Sequence, residues 1–195
     1  YQRVLAITNK EQRGYITPQE FNYLANQAQL DIFEQYFYDI NQFGRIPGNH
    51  SEYADMLAIL EEKISLFEKT NQTVTSGTDL PADLYRLGSI VFNGAEAESM
   101  TQKDYLYITQ SQLSKPTNDF PMYIRDTSGV KVYGSNASGA IEQKTSGVTC
   151  NYIKEPTSAS WASNASTGLY DAANSTHFEV HESEETELVI KILAY

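Results

Sequence analysis

With 195 residues, 41% of them hydrophobic, the chain is long enough for one or two domains with a core of its own. A formal charge of −11 argues against a protein that holds nucleic acid by its phosphates, because such binders are expected to be basic. The lone Cys150 excludes a disulfide-stapled scaffold, and no apolar run approaches the roughly 20 residues of a membrane span.

Tyr1 to Lys10, with Val4, Leu5 and Ile7, reads as a short helix ended by the loop around Gly14. The chain is organised around the next stretch, Thr17 to Phe43. Thr17 can cap the third helical N–H, Glu20 can reach back to the Thr17 amide, and Pro18 sits where a missing N–H costs nothing. Phe21, Leu24, Ala25, Ala28, Ile32, Tyr36 and Ile40 recur at helical spacing, and Gly44 is the natural stop. Leu30, Phe33 and Phe37 form a second stripe, and a helix with two apolar faces needs a partner on each. The rings of Phe33, Tyr36, Phe37, Tyr38 and Phe43 span too wide an arc for one core contact, which keeps a subunit-interface reading open. Fourteen tyrosines against one tryptophan suit half-buried surfaces of that kind.

A breaker-rich loop, Gly44 to Asn49, leads to a second helix opened by Ser51 and carrying Tyr53, Met56, Leu57, Leu60, Ile64 and Phe67. His50 reads as an exposed or capping residue. After Thr70 the composition turns polar, a boundary between a helical and a β part. Leu84 to Phe92 is a strand, and Asn93-Gly94 the strongest hairpin signal. Thr101 with Asp104 starts a short helix closed before Lys115-Pro116. Pro121 to Arg125 and Val130 to Tyr133 form a hairpin with Ser128-Gly129 in its turn, and Val148 to Lys154 alternates as a further strand. Ser158 to Thr176 is a long polar loop anchored by Trp161 and Tyr170. His177 to Val180 is extended, and Ser183 caps a helix bearing Leu188, Val189, Ile192 and Leu193. The chain opens on Tyr1 without Met and stops inside this helix, so both ends are read as open to truncation.

The fold class is therefore α+β. A helical hairpin or bundle (1–70) is followed by an antiparallel β domain (71–176), a sandwich or partly open barrel with a short helix near 101–113. A strand and helix (177–195) then pack back on the bundle.

Chemistry-bearing patterns are sparse. His177, Glu179 and His181 would share one face of a strand and are a weak metal candidate, matched equally well by the acidic run before a capped helix. Cys150 sits mid-strand as a buried thiol, no GxSxG elbow is present, and Gly134 to Gly139 lacks the lysine of a phosphate loop. No enzymatic activity and no cofactor are expected.

Three stretches carry a resemblance: Arg13 to Phe43, Asp79 to Gly94 (DLPADLYRLGSIVFNG) and His177 to Leu193. The first is similar to the opening of structural proteins in podophages of marine and gut bacteria. Together the three resemble the head-to-tail adaptor, or neck ring, proteins of short-tailed bacteriophages, broadly similar to the tail tubular A-type proteins. The resemblance implies a virion structural protein, assembled in the host cytoplasm as a ring of usually twelve copies beneath the portal protein. Such a ring extends the DNA channel and offers a docking surface to further ring, tail or nozzle proteins. It implies interface roles for Leu30, Phe33, Phe37, Tyr38, Phe43, Trp161 and Tyr170. Some of Glu182, Glu184 and Glu185, or the acidic hairpin around Glu96 and Glu98, would then face the channel, where a negative wall lets double-stranded DNA slide without sticking. Two other classes compete. One is a monomeric β-sandwich module that stacks carbohydrate on Trp161; the other is a metal enzyme built on His177, Glu179 and His181.

Overall fold

The computed structural model describes residues 1–10, 16–43, 55–111, 113–164 and 169–195. The expected loop at Gly14, the Gly44 stop and its loop, His50, and the helix positions Ser51 and Tyr53 lie outside the described residues. The chain is α+β and forms two compact units, Tyr1–Leu66 with Pro156–Tyr195, and Phe67–Glu155. The division falls at Leu66/Phe67 and Glu155/Pro156 where composition had placed it at 70/71 and 176/177.

In the helical unit, α1 spans Gln2–Lys10, α2 Pro18–Phe43, α3 Met56–Ser65 and α5 Glu185–Ala194. The start of α2 follows from its sequence: the Thr17 amide donates to Glu20 Oε2 (2.9 Å) and the Glu20 amide to Thr17 Oγ1 (3.3 Å). The Thr17 amide and the Thr17 hydroxyl (2.8 Å), both donating to Glu20 Oε2, lower the Glu20 carboxyl below its ordinary pKa. One face of α2 is buried along Phe21, Ala25, Ala28, Ile32 and Tyr36. Helices α3 and α5 pack against α2, so the C-terminal helix does return to the bundle through Leu188 and Ile192. Its start differs from expectation. His181, not Ser183, caps a 3-10 turn over Glu182–Glu184 that runs directly into α5, because the His181 ring accepts the Ser183 amide.

The β unit is one curled seven-stranded sheet, a half-barrel and not a sandwich, in the order β1-β7-β2-β3-β4-β5-β6. Strand β1 is Glu68–Thr73, β2 Leu84–Phe92, β3 Ala95–Ser99, β4 Met122–Asp126, β5 Gly129–Ser135, β6 Ile141–Lys144 and β7 Val148–Lys154. All neighbours are antiparallel except β3 and β4, which the intervening α4 (Gln102–Gln110) allows to run parallel. Alternation places Val130 and Val132 of β5 and Val148, Cys150 and Tyr152 of β7 in the core beside Ile90 and Phe92. The β2–β3 hairpin turns on Asn93 (φ 48°) and Gly94 (φ 89°), the left-handed pair that a two-residue turn needs.

Strand β1 occupies part of the stretch that composition marks as a boundary. Its six residues are polar and exposed, so no apolar alternation announces it; pairing with β7 holds it. Strand β6 carries no such alternation either. In the β4–β5 hairpin Gly129 pairs with Asp126, which leaves Thr127-Ser128 as the turn, one residue earlier than expected.

Candidate functional site

Along α2, Asn22, Asn26 and Gln29 stand at i, i+4 and i+7 on one side of the helix and hold an extended strap, residues 157–161, rung by rung. Asn22 Oδ1 accepts the Trp161 amide (2.7 Å) and its Nδ2 donates to the Trp161 carbonyl (3.2 Å). Asn26 repeats the pair on Ala159 at 2.7 and 2.9 Å. Gln29 donates to the Thr157 carbonyl (2.9 Å) and accepts the Glu179 amide (3.0 Å), while Glu179 Oε2 accepts the Thr157 amide (2.8 Å). The match is geometric. The four residues from Asn22 to Asn26 rise about 6 Å along the helix, close to the roughly 6.7 Å of two residues of extended chain. The three from Asn26 to Gln29 rise about 4.5 Å, and that rung is made by the longer glutamine side chain.

This ladder decides what several expected site residues do. Trp161 is half-buried, and its ring stacks on Tyr1 with centroids 4.2 Å apart, with Tyr170 at 6.3 Å. The ring face stacked on Tyr1 is not open to a sugar. Tyr170 remains exposed. Glu179 is engaged by Thr157, His181 caps the 3-10 turn, and His177 is exposed with no β ladder through it. Among the described residues, no group of three His, Cys, Asp or Glu could hold a metal ion. The metal candidate therefore loses its geometry.

The expected second stripe of α2 is also redistributed. Phe33 is fully buried and packs edge-on against Phe37 (5.1 Å), so it is not available to a neighbour as an interface residue. Leu30 and Phe37 are half-buried, and Phe43 lies at the margin of exposure. The outward rings are Tyr23 and Tyr38, 69% and 63% exposed.

Of the five acidic residues assigned to a channel wall, Glu96 and Glu98 are exposed on β3 and Glu182 is exposed; Glu185 is exposed and pairs with Arg3 (2.6 Å). Glu184 is buried instead. It forms an ion pair with Lys63 of α3, their side chains 9% and 19% exposed, beside the ring of Tyr36. Burial alone pushes the Glu184 carboxyl up, but the Lys63 ammonium outweighs it and the net pKa is lowered. The Tyr36 hydroxyl is raised by burial, then by the Glu184 and Glu187 charges, and has no hydrogen-bond partner among the described residues. These groups line a cavity of about 100 Å³ between α2, α3 and α5. The acidity is unevenly spread. The helical unit's residues include fifteen acidic against six basic, and those of the β unit ten against eight.

In the β unit, a groove of about 470 Å³ crosses the sheet over Glu68, Arg86, Gly88, Glu96 and Asn151. Its polar groups are already paired in part: Asn151 donates to Ser89 Oγ (2.8 Å) and accepts the Asn71 amide (2.8 Å). Cys150 is buried in the core, and desolvation raises its pKa, so the thiol is inert.

The β unit also exposes large apolar side chains. Helix α4 begins with a complete Thr101/Asp104 capping box and rests on the sheet through Tyr105, whose ring lies 4.6 Å from that of Tyr133, yet none of its residues is fully buried. Leu106 and Tyr107 on it are 55% and 64% exposed, and Leu113 and Phe120 on the following connection 99% and 76%. The sequence marks this helix and its cap; it does not mark that both leave such side chains in solvent. No helix among the described residues is long and apolar enough to cross a membrane. Neither a protein-family model nor a curated protein sequence matches this chain.

Proposed function

We propose that the chain is a structural protein without catalytic role that assembles with copies of itself into a ring. In this reading it is a head-to-tail adaptor of a short-tailed phage, set between portal and tail in the virion. The observation that carries the assembly is the α4 segment: a well-capped helix with no fully buried residue, which turns Leu106 and Tyr107 to solvent and is followed by the exposed Leu113 and Phe120. Large apolar side chains gathered on one exposed segment mark an interaction surface. A ring needs two different complementary faces on each subunit, and Tyr23 and Tyr38 on α2 supply apolar surface elsewhere in the chain. The phage assignment rests on the resemblance of Arg13 to Phe43, Asp79 to Gly94 and His177 to Leu193. With Glu184 committed to Lys63, the channel-facing set narrows to Glu96, Glu98, Glu182 and Glu185.

Mass measurement of the purified chain, followed by imaging of any assembly, tests this. The expected result is a closed ring, twelve-fold by the resemblance, with an acidic lumen. A single chain at every concentration, or a lumen dominated by Lys and Arg, overturns it.

A further inference from the structure

The ring reading leaves open which surfaces meet, and two exposed helix faces in the chain are complementary. At about 100° per residue, Tyr23, Glu34 and Tyr38 fall within roughly 60° of arc on α2, opposite its buried face. All three are exposed. On α4 the same spacing sets Lys103 between Leu106 and Tyr107, and these three are exposed as well. One face is a glutamate with Tyr38 one turn beyond it and Tyr23 about three turns before it; the other is a lysine with a leucine and a tyrosine one turn beyond it. Helix α2 as a whole carries Glu20, Asp31, Glu34 and Asp39 and no basic residue. Two copies of that face repel each other, whereas α4 brings Lys103 to it.

We propose, resting on the ring reading above, that the outer face of α4 in one copy docks on the outer face of α2 in the next. Lys103 meets Glu34 beside the apolar side chains. The contact is head-to-tail, since each copy uses α4 on one side and α2 on the other. The β1 edge of the sheet is a poorer candidate. Strand β1 is charged and irregular in register, and Gln72 caps the Thr70 carbonyl with its own side chain (3.1 Å), all features that discourage strand addition.

The test uses the full chain and three changes. Leu106→Glu and Tyr38→Glu each alter an exposed side chain, so circular dichroism and the thermal midpoint should match the wild type. Each variant alone should fall to the single-chain mass of 21.9 kDa. Mixed together they should form a dimer of twice that mass, because each retains the face the other has lost. Lys103→Glu should weaken assembly, and adding Glu34→Lys in the same chain should restore it. A wild type that assembles while Leu106→Glu assembles equally well overturns this contact and leaves the ring reading standing. Assembly lost in Leu106→Glu but kept in Tyr38→Glu overturns the head-to-tail pairing in favour of α4 meeting α4 or another protein. A wild type that stays single at all concentrations removes the ring reading and this contact with it.

Discussion

Asn26 of α2 and Ala159 of the strap hold each other through two hydrogen bonds, one in each direction, at 2.7 and 2.9 Å. A carboxamide presents a donor and an acceptor side by side, as a neighbouring strand would, so the helix serves the buried Ala159 backbone as a substitute sheet edge. Asn26→Ala leaves both backbone groups without partners and should cost about 2 kcal/mol in urea unfolding. Asn26→Asp keeps the acceptor but sets a carboxylate against the Ala159 carbonyl. It should be at least as destabilising at neutral pH, and should recover part of the loss once protonated.

The Lys63–Glu184 pair ties α3 to the start of α5 away from water. Glu184→Gln strands the Lys63 charge and should cost about 3 kcal/mol at pH 7. The pH dependence follows from the sign of the shift. The folded-state pKa of Glu184 lies below its ordinary 4.5, so the contribution is present in full above that value. It is lost as pH falls below about 4.5 through the folded pKa. The urea midpoints of wild type and Glu184→Gln should therefore converge between pH 5 and strong acid. A difference that stays constant over that window would show that the ion pair is not its source.

Local signals survived into the structure where the sequence itself supplies the partner. Thr17 with Glu20, Thr101 with Asp104, and Asn93-Gly94 each complete their motif within a few residues, and each forms as read. The strands β2 and β7 were legible because alternating apolar residues meet one core. Strand β1 was not legible, because its only reason for being extended is the partner β7, which arrives some eighty residues later. The amide ladder was hidden for the same reason: Asn22, Asn26 and Gln29 show a spacing, but their ligand is backbone 128 to 139 residues away. Glu184 reads as one more solvated carboxylate until Lys63 is seen beside it.

Gly129 opens β5 at φ 128°, and a Cβ there would stand 2.0 Å from the Thr78 carbonyl oxygen. That oxygen accepts the Val130 amide (2.9 Å), which pins the loop after β1 to the first residues of β5. Gly139 also has positive φ (76°) but faces open space. Gly139→Ala should cost only the conformational strain, about 1–2 kcal/mol. Gly129→Ala adds a collision with backbone that cannot rotate away. Its thermal midpoint should fall clearly below that of Gly139→Ala, and equal midpoints would show that the loop yields freely.

Phe33 separates folding from assembly. Its spacing on α2 suits an interface, yet its side chain is fully enclosed and meets Phe37 edge-on. Truncating a buried phenylalanine removes its transfer energy and leaves a cavity, so Phe33→Ala should lose about 3–5 kcal/mol. The loss should be the same at all protein concentrations, because the contacts removed lie within one chain. An interface residue behaves differently: its contribution enters through mass action and grows with protomer concentration. Tyr38→Ala, on the exposed face, should leave the unfolding of the single chain within about 0.5 kcal/mol of wild type. Denaturation of both variants across a concentration series distinguishes the two roles, and a concentration-dependent loss at Phe33 would place that ring between subunits after all.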